Sequence, residues 1–276
     1  MIYLNGRLQS AAEGHVAIAN RSFLLGDGLF ETMLVRGGRP RFLAEHLARL
    51  LASARYFGYH MPTRPELEDA INCVITANSL QLGSLRLTVS PCTSQGLLAA
   101  PDSPLDILIT VKHGLSYEEG LYERGFKAII AHSTRRNEHS PLSRHKTTSF
   151  LDNVLAKKEA HAAGADEALL LNSKGDIAEG AVSNLFIVAQ GEVRTPRIED
   201  GALPGIMRGQ VMALCHRLNI PFSEAKLAPA DLFRADEAFL TNALLGIMPV
   251  ARVGEQAFAS GDKGSLCRRL EDLLGL

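Results

Sequence analysis

The sequence predicts an α/β protein in two domains, on three observations. Short β-branched or alternating apolar runs take turns with longer segments of helical spacing along the whole chain. The 276 residues are enough for two buried cores. Near the middle, the glycine- and charge-rich stretch "HGLSYEEGLYERG" has the composition of a link. We therefore expect a small N-terminal α/β domain over 1–115, a link over 116–124 and a C-terminal α/β domain over 125–276.

In order, "MIYLNGRL" and "LFETMLVRGGRPRF" read as strands, the second closing on a Gly-Gly turn. "LAEHLARLLASARYFGY" reads as a helix with Leu43, Leu47, Leu50 and Leu51 on one face. A second helix, over 64–79, leads to "SLRLTVS" and "DILITVK", both β-branched and alternating. After the link come the strand "FKAIIAHS", the basic loop "TRRNEHSPLSRHK" and a helix in which Leu151, Val154, Leu155 and Ala162 recur at helical spacing. Two strand runs then meet at "NSKGD", where Gly175 supplies the turn, and a hairpin follows at "AQGEV". "LPGIMRGQVMALCHRL" is a Pro-Gly turn into a helix, and "EAFLTNALLGIMPVARV" is two strands around a polar break.

Composition narrows the function. A net charge of −1 gives no electrostatic reason to expect nucleic acid or an acidic membrane surface as partner. No apolar run reaches the roughly eighteen residues of a membrane helix, and no basic-then-apolar leader opens the chain, so a cytoplasmic protein acting on a small molecule is expected. Cys73, Cys92, Cys215 and Cys267 are far apart, with no C-x-x-C, which predicts reduced thiols, no disulfide framework and no metal site. Cys215 reads as a helix-core residue.

Three places can carry chemistry. Lys146, one of only eight lysines, stands among Thr147, Thr148 and Ser149 directly ahead of a helix. A lysine that condenses with an aldehyde must be neutral, and a junction without neighbouring carboxylates is compatible with that; a surface lysine near a helix start is the other reading. In "AEGAVSNLF", Glu179 interrupts an apolar strand. Either it faces water from a sheet edge, or it is buried with a partner such as a protonated ring nitrogen, the arrangement that keeps pyridoxal phosphate an electron sink. "LPGIMRGQV" offers an anion the N-terminus of a helix: Gly205 allows a close turn, and the N–H groups of Ile206 and Met207 follow. Arg49 has the fork that suits phosphate, or is an exposed helix charge. Thr241 and Asn242 break two apolar strands, as a turn or a site would.

As an ordered set, "NRSFLLGDGLFETM", "HLARL", "HKTTSFLDNVLAKKEA", "GADEALLLNSKGDIAEGAVSNLF", "LPGIMRGQV" and "EAFLTNALLGIMPV" resemble the class IV aminotransferase-like enzymes of fold-type IV, which use pyridoxal 5′-phosphate. The resemblance implies two α/β domains of the D-amino-acid aminotransferase-like type, the cofactor at the domain interface, in a homodimer. It makes Lys146 the Schiff-base lysine, Glu179 the partner of the pyridine nitrogen and Arg49 the phosphate arginine. Ser183, Asn184, Gly205, Ile206, Met207, Asn242 and Ala243 complete the cofactor-binding set it implies.

Within that family the chain looks most like 4-amino-4-deoxychorismate lyases. Asn242 before Ala243, and Met207 where aminotransferases commonly carry threonine, follow the lyase pattern. A branched-chain or D-amino-acid aminotransferase is the alternative, which "HKTTSF" favours. Phe150 stands where many relatives have a tyrosine, and "SPCTSQGLL" lacks the Arg-Gly run frequent in lyases. Glu31, Arg86, Arg135, Arg136 and Arg144 are the residues then expected to meet substrate, the arginines through its carboxylates.

Overall fold

In the computed structural model, which describes residues 1–100, 103–262 and 265–274, the chain divides into two units. One comprises Met1–Ser116 with His145–Phe150, the other Tyr117–Arg144 with Leu151–Leu276.

The first unit contains β1 (Ile2–Leu4), β2 (Arg7–Gln9), α1 (Arg21–Leu25), β3 (Leu29–Arg36), β4 (Arg39–Pro40), α2 (Leu43–Tyr56), α3 (Arg64–Ala77), β5 (Leu82–Pro91), β6 (Ser94–Gln95), β7 (Leu98–Ala99) and β8 (Leu105–His113). Its main sheet is antiparallel throughout, in the order β2-β1-β8-β5-β3-β4. One side-chain set of the pleat faces the core: Leu85, Leu87 and Val89 of β5, and Leu29, Met33 and Val35 of β3, pack with Leu47 and Leu50 of α2 and Leu67, Ile71 and Val74 of α3. The leucine spacing of α2 therefore does what its periodicity predicts. Helix α3 starts where the Glu66 carboxylate accepts from the Thr63 N–H at 2.7 Å, with Pro65 in the first turn.

The second unit contains α4 (Glu119–Arg124), β9 (Phe126–Ile130), a 3₁₀ turn (Pro141–Arg144), α5 (Leu151–Ala162), β10 (Glu167–Leu171), β11 (Ile177–Gly180), β12 (Asn184–Ala189), β13 (Glu192–Pro196), a second 3₁₀ turn (Ile198–Asp200), α6 (Ile206–Arg217), β14 (Phe222–Ala225), α7 (Pro229–Phe233), β15 (Glu237–Asn242), β16 (Gly246–Val253), β17 (Gln256–Ala257) and α8 (Leu266–Leu274). Its strands run β11-β10-β9-β16-β15-β12-β13-β14, with β17 on β16. The sheet is mixed: β9 lies parallel to β10 and β16, and β13 to β14, while the hairpins are antiparallel. Gly175, at φ +85°, turns the chain between β10 and β11; Gln190 and Gly191, both at positive φ, make the β12–β13 hairpin. Cys215 is fully buried on α6. Among the described residues no helix is long and apolar enough to cross a membrane.

Three features differ from the sequence expectation. Within the expected link, Glu119–Arg124 is a helix, and Leu121 and Tyr122 pack on the second unit's core. Residues 145–150, expected in the C-terminal domain, group with the first unit because they are laced to the start of β3. Helix α5 buries Asn153, Ala156 and Ala160, whereas Leu151, Val154 and Leu155 are exposed. The alanines allow α5 to lie close on Ala168, Leu170 and Ala181, an approach that leucines on that face would hold off.

Candidate active site

In the first unit, the lysine segment is held by main-chain bonds. The Phe30 N–H donates to Lys146 O at 3.0 Å, the Thr148 N–H to Gly28 O at 2.8 Å, and Leu29 bridges Thr147. The Thr148 hydroxyl adds a bond to Gly26 O at 2.8 Å. This explains the glycines of "LGDGLF". Gly26 sits at φ +69°, and a Cβ there would lie 3.2 Å from Ser149 Cα; one on Gly28 would lie 3.0 Å from Thr148 Oγ1. Lys146 Nζ is then held over the Phe30 ring, 4.5 Å from its centroid, with the Phe150 ring at 5.8 Å. Phe150 meets Phe30 edge-on at 5.6 Å, and the Arg86 guanidinium stacks on Phe30 at 3.7 Å. Phe30, absent from the sequence expectations, thus contacts both the Lys146 amine and the Arg86 guanidinium.

Arg49 is set by Glu31. Both are on the core side, where β3 faces α2: Arg49 Nε donates to Glu31 Oε1 at 2.8 Å and a terminal N–H donates to Oε2 at 2.7 Å. His46, one turn earlier on α2, also engages Oε2, at 2.7 Å. An ionised carboxylate only accepts, so His46 Nδ1 carries the hydrogen. Burial pushes the Glu31 carboxyl up, but the Arg49 charge and the bonds from His46 and Arg49 outweigh it and bring the pKa down to about 2. Glu31 is 1 % exposed. A residue expected to touch substrate therefore acts on Arg49 instead, and His46 is a member of the set that only the fold reveals.

The second unit carries the other expected residues. Glu179 lies on β11 at the end of the sheet order, yet is only 5 % exposed, so it is an edge-strand carboxylate that does not face water. Arg136 Nε is 2.9 Å from its Oε1, and the Leu203 N–H donates to Oε2 at 2.9 Å. A carboxylate oxygen can accept more than one hydrogen bond. Ser183 donates to the buried Glu167 at 3.1 Å, and Asn184 Nδ2 donates to Leu203 O at 2.9 Å, so these two side chains brace the frame around Glu179. Burial raises the Glu167 pKa despite the charge of Lys157. Gly205 precedes α6, and no side-chain hydrogen bond caps that helix. A Cβ on Gly205 would fall 1.9 Å from Asn184 Oδ1, so any larger residue requires the Asn184 side chain to move. Ile206 is half-buried and Met207 buried in the first turn.

Asn242 spans the polar break. Its Oδ1 accepts from the N–H groups of Leu244 and Leu245 at 2.8 and 2.7 Å, and Nδ2 donates to Val182 O at 3.0 Å, so any anion contact at Asn242–Ala243 belongs to the main chain. Of the other arginines, Arg144 is exposed, Arg135 is exposed and donates to Ala131 O at 2.8 Å, and Arg136 is engaged with Glu179.

These donor sets fit pyridoxal phosphate in its parts: an amine beside aromatic rings, a buried carboxylate able to accept from a ring N–H, and a helix start kept open by glycine. Comparison with known proteins agrees. D-alanine aminotransferase of Bacillus licheniformis is 28 % identical, over 99 % of this chain and 95 % of that protein. The T.th. branched-chain amino acid aminotransferase, solved with pyridoxamine 5′-phosphate, superposes with a TM-score of 0.91 at 26 % identity, covering 99 % of this chain and 92 % of its own. The 4-amino-4-deoxychorismate lyase of Pseudomonas aeruginosa does so with a TM-score of 0.89 at 28 % identity, covering 99 % and 98 %. The family of the first two is pyridoxal-phosphate-dependent. The family model described as amino-transferase class IV matches residues 28–253, and the chain belongs to that family.

Proposed function

We propose that the chain is a pyridoxal-phosphate-dependent 4-amino-4-deoxychorismate lyase, releasing 4-aminobenzoate and pyruvate in folate synthesis. What carries the reading is the character of Met207 and Asn242–Ala243. At positions where the aminotransferases that the chain resembles present threonine hydroxyls, Met207 is buried, the Asn242 side chain is committed to its turn, and Ala243 has no hydroxyl. On this reading the groups offered to phosphate are the Arg49 guanidinium in the first unit and, in the second, the N–H groups of Ile206 and Met207.

Pyridoxal phosphate, when bound, supplies the electron sink. Lys146 Nζ holds the proton taken from the amine-bearing carbon of the substrate and returns it to the departing enol. Phe30 and Phe150 limit water around that nitrogen. Glu179 would accept from the N–H of the cofactor's ring. Arg86, stacked on Phe30, and Arg144, which is exposed, are the arginines available to substrate carboxylates. Loss of the enolpyruvyl group makes the substrate ring aromatic, so no amino acceptor is needed.

A second reading, an aminotransferase for D- or branched-chain amino acids, is supported by the likeness to both the D-alanine and the branched-chain enzymes. The test is incubation with 4-amino-4-deoxychorismate with and without 2-oxoglutarate. Acceptor-independent formation of both products, lost in Lys146→Ala, supports the lyase. No product, together with conversion of the bound cofactor to its amine form by D-alanine or leucine, sinks it. The reading includes a homodimer, in keeping with the exposed Leu151, Val154 and Leu155 of α5 and Phe23, Leu24 and Leu25 of α1. Sedimentation as a monomer would remove that part.

A further inference from the structure

Arg136 is held in a way that a substrate hook is not. Its own N–H donates to Leu171 O at 2.9 Å, and the residue bridges Asn172 beside the β10–β11 turn. The guanidinium donates to Ser143 O at 3.0 Å and to Gly201 O at 3.3 Å while it pairs with Glu179. Gly201, at φ +103°, makes the room, since a Cβ there would meet Arg136 Cβ at 3.3 Å. Two residues further on, the Glu138 carboxylate accepts from the Ser173 N–H at 3.0 Å and from its hydroxyl at 2.6 Å, tying the loop to the same turn. The Arg136 side chain is 15 % exposed.

We propose that Arg136 is a positioning residue for Glu179, fixing it as an anion so that a proton shared with the cofactor's ring nitrogen stays on the nitrogen. The inference rests on the reading of Glu179 given above. A buried carboxylate left to itself becomes more basic and competes for that proton. A cation 2.9 Å away favours the charged carboxylate and so opposes the competition. The Leu203 N–H works in the same direction from the other oxygen.

The test uses ¹⁵N-labelled pyridoxal phosphate bound to the native protein, Arg136→Lys, Arg136→Met, Glu179→Gln and the Arg136→Met/Glu179→Gln pair. Ring-nitrogen NMR shifts and affinity by equilibrium dialysis are the readouts. Arg136→Met is expected to move the resonance toward its deprotonated position and to weaken binding roughly tenfold. Arg136→Lys keeps the resonance near native, and the pair falls no lower than Glu179→Gln alone. A native resonance and affinity in Arg136→Met, with only KM for substrate raised, overturns the proposal and returns Arg136 to the substrate. Where Arg136→Met does not fold, a deprotonated resonance in Arg136→Lys overturns it equally. A native resonance in Glu179→Gln shows instead that the reading of Glu179 is wrong, and the proposal falls with it.

Discussion

Replacing Glu31 by glutamine tests the frame around Arg49 at nearly constant volume. The Glu31 pKa is displaced from an ordinary 4.5 to about 2. At about 1.4 kcal/mol for each pH unit, that is worth roughly 3 kcal/mol of folding stability. The carboxylate is 1 % exposed, so solvent screening removes little of it. Because the folded pKa lies below the unfolded one, the contribution is fully present above the unfolded value and is lost as pH falls through the folded value. Glutamine gives Arg49 a single oxygen and turns an N–H₂ group toward donors. Glu31→Gln is therefore expected to be about 3 kcal/mol less stable than the native chain near pH 7, and by less than half of that near about pH 3. The chain has no tryptophan, so urea unfolding of the cofactor-free protein is best followed by circular dichroism. A native unfolding midpoint near neutrality, or an equal deficit at both pH values, would refute the reasoning.

Two glycines give further expectations. Gly26→Ala puts a side chain at φ +69° and 3.2 Å from Ser149 Cα, and should lower stability by about 1–2 kcal/mol while reducing turnover through the displaced Lys146 segment; thermal melts and steady-state rates check both effects. Gly205→Ala drives a Cβ to within 1.9 Å of Asn184 Oδ1. It should weaken pyridoxal phosphate binding by at least about tenfold in a fluorescence titration, partly recovered by adding Asn184→Ala, and native affinity would show that the start of α6 tolerates the shift.

Local structure was legible because its causes are local. The alternation of Leu85, Leu87 and Val89, the spacing of Leu47 and Leu50, and the turn at Gly175 each depend on neighbours a few residues away, and each appears where the pattern puts it. The family was legible too, since six motifs in one order are a property of the chain and need no coordinates. Roles were another matter. Glu31 occupies the β3 position between Leu29 and Met33 on the core side, and its partners lie on α2, so its assignment to substrate gave way to one beneath Arg49. Arg136 and Arg135 are adjacent and chemically identical in sequence; one pairs with buried Glu179 and the other donates to Ala131 O. The buried face of α5 is not the one its leucines mark in the sequence, because close approach to the sheet selects the small residue. By itself the sequence determined most of the long elements and the family, and offered candidates for the chemistry. Which charge is buried against which was decided only by the tertiary structure, because a buried charge takes its role from partners far along the chain and no local pattern encodes them.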